Sequence, residues 1–343
     1  MRARTFEIKT GSPLTVGKRS AFSLAWVTAL AVMGMIIPEA RADLIVGDAT
    51  NYTVLYEGTG GHNLQITNVI VNGNLGVGGT GVVQDSGPAV LAGGLDLSAS
   101  NTGQFHNNNA KNIGPFPVNY NVAAVTSALN FVNDLNSGWG GQDGTDVVIS
   151  GNTTINASAG MLHTIIVDGQ SETAEVFDVT GFSLGNGQTI TINDVAGSNV
   201  VFNFLSSLGN VNFQGDVVLN GLTGDQLLWN VVGTGKHFDI NNNASTFGTG
   251  FGSPAAQGIF LNPNGEMSSV NANIVGRFFG GDSQDMQIVS GTNLIAPPPG
   301  GGSTGGSTGG TIVPEPSSIV LLLTVLAGLG LGTRRKAPAF HQD

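Results

Sequence analysis

Apolar residues fall along this chain in two rhythms. Through the middle, short runs that alternate or are rich in β-branched residues occur at 64–71, 82–84, 146–149, 163–167, 189–192, 200–204, 211–213, 217–219, 227–232, 258–261 and 273–279. They predict strands. Turn-forming pairs such as Asn72-Gly73, Gly78-Gly79, Gly93-Gly94, Asn220-Gly221 and Asn264-Gly265 separate them. Strands this short and closely spaced belong to a sandwich or a solenoid, and without a strict repeat period a solenoid is an irregular one. One segment keeps the other rhythm. Val122, Val125, Leu129 and Val132, widened by Ala128, Phe131 and Leu135, form a helical stripe that predicts a helix over 121–136, ended by Gly138. In a β-domain that stripe has only the sheets to lie against.

Two longer apolar runs flank this region. The first, 21–37, follows Arg2, Arg4, Lys9, Lys18 and Arg19 and precedes Pro38 and the Ala40-Arg41-Ala42 triplet. A basic start, an apolar stretch and a small-x-small site predict a secretion signal over 1–42, cut after Ala42. The second, 319–331, follows Val313-Pro314-Glu315-Pro316 and precedes Arg334, Arg335 and Lys336. That basic cluster is expected to stay cytoplasmic and stop the run in the membrane. Between the middle and this tail, three prolines at 297–299 lead into a Gly/Ser/Thr stretch, a composition with little side chain to bury. The expected organisation is a signal at 1–42, a β-domain at 43–296, a linker at 297–312, a sorting and membrane segment at 313–336 and a cytoplasmic tail at 337–343.

Composition and charge narrow the class. The chain has 53 glycines, 10% charged residues and a formal net charge of −11. Between the two terminal regions the only cations are Lys111, Lys236 and Arg277. A surface so poor in cations cannot neutralise phosphates, which disfavours nucleic acid as a partner. The absence of cysteine removes disulfides, thiolate metal sites and cysteine nucleophiles.

The ordered tail resembles the PEP-CTERM sorting signal of Gram-negative bacteria, carried here by Pro314-Glu315-Pro316, the apolar run and the basic cluster. The resemblance implies recognition by exosortase, a membrane protease-transferase, and delivery of the domain to the envelope or an exopolysaccharide matrix. The middle resembles the choice-of-anchor A family. The residues that carry this likeness are Val71-Asn72-Gly73-Asn74-Leu75-Gly76-Val77-Gly78, the helix, Val200-Val201-Phe202-Asn203-Phe204, Leu228-Trp229-Asn230, and Gly258-Ile259-Phe260-Leu261 through Val275-Gly276-Arg277. The same landmarks are similar, more distantly, to the ice-binding β-solenoid family, which implies a long helix beside an irregular right-handed β-helix. Ice adsorption requires a flat regular face, and Thr189-Ile190-Thr191 is the only tight Thr-x-Thr in the middle.

Reactive groups are sparse. His62, His106, His163 and His237 share no metal-ligand spacing, and no His-Glu-x-x-His motif or full calcium loop is present. Asp143 and Asp146 offer two carboxylates before a strand, against the alternative of an Asp-Gly turn. Glu172 with Glu175, or Asp282 with Asp285, would be candidate glycosidase pairs, but both are expected in polar loops facing water. Trp229, inside an apolar strand, is expected in the core. Trp139, among glycines, is the tryptophan expected at the surface as a ligand contact.

These readings predict an all-β fold with one long helix: an irregular right-handed β-solenoid packed against an α-helix. The expected function is that of an exported, non-enzymatic surface or matrix protein, with no catalytic residues, metal or cofactor. Its expected partners are exosortase, extracellular polysaccharide and, through the C-terminal segment before processing, the membrane. An envelope enzyme acting on polysaccharide and an ice- or calcium-binding module are the competing readings.

Overall fold

In the computed structural model, residues 43–99, 101, 105–107, 116–194, 197–243, 255–281 and 284–296 are described. Among them are 24 strands and one α-helix, α1 (Ala123–Gly140). The strands stack as coils. On one side they run in the order Thr145–Ser150, Gln170–Ser183, Asn199–Phe204, Leu227–Val231, Ala256–Asn262, Asn273–Gly280, Tyr52–Tyr56, Asn74–Val77, Gly94–Leu97 and Val118–Asn119. Every neighbouring pair on this path is parallel. Seven further strands form a second sheet, and Thr153–Asn156, Thr189–Asn193 and Asp216–Asn220 line a third side. This is the β-solenoid with one helix that the sequence predicts.

The stack is not built in chain order. The first strand, Tyr52–Tyr56, lies between Asn273–Gly280, which comes late in the chain, and Asn74–Val77. From there the chain builds coils in one direction as far as Val118–Asn119, and α1 then leads to Thr145–Ser150, the strand at the opposite end of the sheet. The remaining coils close back onto the first. Arg277, 6% exposed, clasps that seam: its Nη1 donates to the carbonyls of Thr50 and Tyr52, both at 2.8 Å, and its Nε donates to Asp225 Oδ1 at 3.0 Å. Burial pushes the Asp225 carboxyl up from its ordinary value, and the guanidinium pulls it back.

Two apolar layers sandwich the long sheet. Inside the solenoid, Phe177, Phe202, Trp229, Phe260 and Phe278 occupy one in-register column. The first four stack with successive ring centroids 5.1, 4.7 and 6.4 Å apart. Trp229 is fully buried, as its apolar surroundings predict, and its Nε1 donates to the Gln257 carbonyl at 2.8 Å. Outside the same sheet, Val176, Val201, Leu228, Ile259 and Phe279 join Val125, Ala128, Leu129, Val132 and Leu135 of α1 in a second core. The backbone approaches the helix closely at two glycines: a Cβ on Gly47 (φ +52°) would sit 2.6 Å from the Phe131 ring, and one on Gly78 would sit 2.2 Å from Leu129 Cδ1.

The helix differs from its predicted span at both ends. Asn121 adopts a left-handed φ of 60° and stands outside it, and the helix runs through Gly138 to Gly140. Gly138 serves packing rather than termination, because its Cα faces Ile165 so closely that a Cβ would lie 3.1 Å from that side chain. The expected strand over 64–71 is two strands, broken at Asn68 with φ 55°. The strand expected at 163–167 is the longer Met161–Val167, and it turns through Asp168-Gly169 to pair antiparallel with Gln170–Val176.

Asparagines tie coil to coil by stacking in register. Under the helix, Asn230 Nδ2 donates to Asn203 Oδ1 (2.9 Å) and to the Asn136 carbonyl (3.2 Å), while Asn136 Nδ2 donates to Asn230 Oδ1 (2.6 Å) and Asn203 Nδ2 donates to the Trp139 carbonyl (2.9 Å). On the third side Asn156, Asn193 and Asn220 repeat the device at the surface, at 3.2 and 2.8 Å. Losing one member strands its neighbours only where water cannot replace them. Asn230→Ala is therefore expected to destabilise the fold by about 2 kcal/mol or more, and Asn220→Ala by less than about 1 kcal/mol, measured by chemical denaturation.

Candidate binding face

The second sheet carries the candidate site. Its strands are Val211–Phe213, His237–Ile240, Glu266–Val270, Met286–Val289, Asn63–Thr67, Val82–Asp85 and Phe105–Asn107, all parallel. Alternation fixes which residues look outward. Phe238, Met267, Met286, Leu64 and Val83 point into the core, so the residues after them point away from it. The pairing register aligns those residues in one column: Asn212, Asp239, Ser268, Gln287, Gln65, Gln84 and His106. At about 4.8 Å between neighbours the column runs for about 29 Å.

The face is held rigid by its own bonds. Ser268 Oγ donates to Asp239 Oδ1 at 2.6 Å, and Gln84 Nε2 donates to Asn63 Oδ1 at 3.0 Å. Two positions before Asp239 and Ser268, His237 Nδ1 lies 3.3 Å from Glu266 Oε2, and at the start of the neighbouring pair of strands His62 Nδ1 lies 3.5 Å from Asp285 Oδ1, which also accepts the Asn63 N–H at 2.7 Å. Each carboxylate is thus matched by a donor, and the central column remains a row of amides and a hydroxyl. Sequence spacing hides this row, because Gln287 becomes a neighbour of Gln65 only once the first coil inserts against the last.

The residues singled out by sequence fall elsewhere. Trp139, expected at the surface, is fully buried, because the last turn of α1 presses it into the second core. Asp143 and Asp146 are exposed, and Asp146 stands beside Asp178 in register, whose Oδ2 accepts the Gly144 N–H at 2.9 Å. No group of three metal-ligating residues is found among the described residues. His106 lies on the candidate face, whereas His163 sits in the hairpin strand Met161–Val167.

Glu172 and Glu175 are not in a loop but in the strand Gln170–Ser183, three positions apart and so on opposite faces of it. Glu172 is 4% exposed, accepting the Ile45 N–H (3.0 Å) and the Asn199 Nδ2 (2.6 Å). Asp285 pairs as described above. Asp282 lies outside the described residues, as do Ala40, Ala42, Val313, Pro314, Glu315, Pro316, Arg334, Arg335, Lys336 and the apolar run at 319–331. Among the described residues no helix is long and apolar enough to cross a membrane.

The family model for an ice-binding-like adhesive domain matches residues 38–290. The chain belongs to that family. Solved structures similar to this ice-binding-like adhesive domain include an ice-binding protein from the Antarctic ascomycete Antarctomyces psychrotrophicus, at 16% identity and a TM-score of 0.46, covering 74% of this chain and 98% of that one. Another comes from an Antarctic Flavobacteriaceae bacterium, at 15% identity and 0.49, covering 76% and 49%. A third is ice-binding protein 1 of Shewanella frigidimarina, at 15% identity and 0.41, covering 76% and 99%. No curated relative matches the chain.

Among the described residues the threonines of the third side line up no further than the pair Thr154 and Thr191. Thr191 lies between Thr154 and Val218, and Thr189 lies beside Asp216. Burial governs the titration of the inner carboxyls. It pushes Glu172 up from its ordinary value, with the Ile45 and Asn199 donors opposing, and it pushes Glu175 up with help from Asp194. A carboxyl raised in the folded state favours folding below its unfolded pKa, and that contribution is lost as pH rises through the folded value. The thermal midpoint is expected to rise as pH falls from about 7 to about 5, and Glu172→Gln is expected to make that rise shallower in a scanning calorimetry series.

Proposed function

We propose that this chain is an exported adhesive protein that holds hydroxyl-rich extracellular polysaccharide along its broad polar face. The observation that carries the reading is the in-register column from Asn212 to His106, with Gln287, Gln65 and Gln84 at its centre. Amide side chains both donate and accept, as sugar hydroxyls do, and a long flat row of them suits a polymer better than a small molecule. Family membership supports adhesion as the class of activity. The face does not favour ice, because Asp239, the long glutamines and His106 break the uniform spacing of small groups that a lattice requires.

Adding Gln65→Ala, Gln84→Ala and Gln287→Ala together to the full chain is expected to weaken binding to bacterial exopolysaccharide at least tenfold with the thermal midpoint kept. Unchanged retention on immobilised polysaccharide would refute the assignment, and ice-crystal shaping without polysaccharide binding would transfer it to ice.

In the proposed route to the surface, the segment 1–42 is removed after Ala42. An exosortase-type protease then recognises Val313-Pro314-Glu315-Pro316, while the run at 319–331 and Arg334, Arg335 and Lys336 hold the chain in the inner membrane. The order of these features in the sequence supports this route. Glu315→Ala is expected to leave the tail uncut, so that mass spectrometry of envelope protein finds a C-terminus at Asp343. A shortened C-terminus in that variant argues against the motif.

A further inference from the structure

The end of the solenoid that begins the second half of the chain has an open edge. Among the described residues, the strand Met161–Val167 pairs with Gln170–Val176 on one side and with no other strand. Thr145–Ser150, next along the same side of Gln170–Ser183, is likewise paired with no other described strand. Val148, Met161, Leu162 and Ile166, four of the six large apolar side chains exposed among the described residues, all lie here, with Ile166 at 75% and Leu162 at 63%. Exposed edges are ordinarily blunted by lysine, proline or a bulge. No lysine or arginine occurs between Lys111 and Lys236, and Met161–Val167 contains no charged residue or proline and pairs without a bulge.

Its two faces differ. Ile165 and Val167 are buried beneath α1, whereas Leu162, Thr164 and Ile166 point away from it, with Thr164 Oγ1 2.8 Å from Thr173 Oγ1. The exposed face therefore reads apolar, hydroxyl, apolar about a central threonine. That pattern is its own complement under a twofold axis through Thr164.

We propose that a second copy of this chain docks on this edge, the two strands pairing antiparallel about Thr164 so that Leu162 meets the partner's Ile166 and Thr164 meets the partner's Thr164. Charge sets the register of this occupant. The domain is acidic, yet in this register the two copies of Asp168 at the hairpin tips stand eight positions apart, about 27 Å. That is well beyond the ~8 Å screening length at physiological salt. Sliding the strands toward the tips would oppose the two Asp168 carboxylates, so repulsion selects the register centred on Thr164. The twofold contact is closed rather than open-ended, and the dimer presents two binding faces to one polymer.

The chain contains no cysteine, which makes the register directly testable. Directly opposed Cα atoms in an antiparallel pair lie about 4.5 to 5.5 Å apart, within the Cα separation that a disulfide spans. In the full chain, Thr164→Cys is expected to form a covalent dimer on mild oxidation, and Asp168→Cys is not. Sedimentation of the parent chain is expected to show a concentration-dependent dimer that Ile166→Lys weakens at least tenfold, with an unchanged thermal midpoint because the side chain is exposed. A chain that is still monomeric at about 100 μM overturns the proposal. Equal crosslinking at both cysteines, or a dimer indifferent to Ile166→Lys, also overturns it.

Discussion

Everything in this domain depends on one pairing, the insertion of Tyr52–Tyr56 between Asn273–Gly280 and Asn74–Val77. A single coil of a solenoid has no interior of its own and buries apolar surface only against its neighbours. Without the inserted strand, the two halves of the chain would each end on an open ladder in the middle of what is now a continuous core. Arg277 shows how firmly that junction is specified. A buried guanidinium is costly unless all its donors are occupied, and here it holds the carbonyl of Tyr52 in the entering strand, that of Thr50 in the turn before it, and the carboxylate of Asp225. The helix then covers the sheet across this region, so the seam is enclosed from both sides.

Much of the architecture was legible in the sequence because one-sided burial leaves a period. The strand at 189–192 and the helical stripe from Val125 to Leu135 were readable on that ground, whereas 200–204, buried on both faces, and the three-residue 211–213 were readable from their valine and phenylalanine content alone. Tyr52–Tyr56 was not, because it is buried on both faces and carries no alternation. Short strands such as Ala89–Leu91 and Asn293–Ile295 were hidden for a different reason: three residues are too few to show a period. Trp139 misled because its glycine neighbours suggest a turn, whereas Gly138 and Gly140 are small so that the helix end can approach the hairpin and Val232.

The candidate face was illegible for a topological reason. Gln65 and Gln287 are neighbours through the seam, and the coils between them differ in length, so no fixed spacing marks the column. Asparagine was ambiguous in the same way. As a turn former it punctuates the sequence at Asn220-Gly221, yet its amide also continues a ladder with Asn193. Asn203 and Asn230 lie within strands, where they bond each other and the end of α1. Local propensity identifies such residues as breakers, and only the register shows that they are fasteners.

The seam has a mechanical consequence. The last described strand, Asn293–Ile295, is hydrogen-bonded on both sides, to Asn273–Val275 and to Ile70–Asn72. A pull applied at Ala296 thus arrives in the interior of the stack rather than at a free rim. Parallel strands loaded along their length must break several hydrogen bonds at once, in shear, where a rim strand would unzip one bond at a time. A tether attached at that point transmits tension through the body of the domain without first peeling it open.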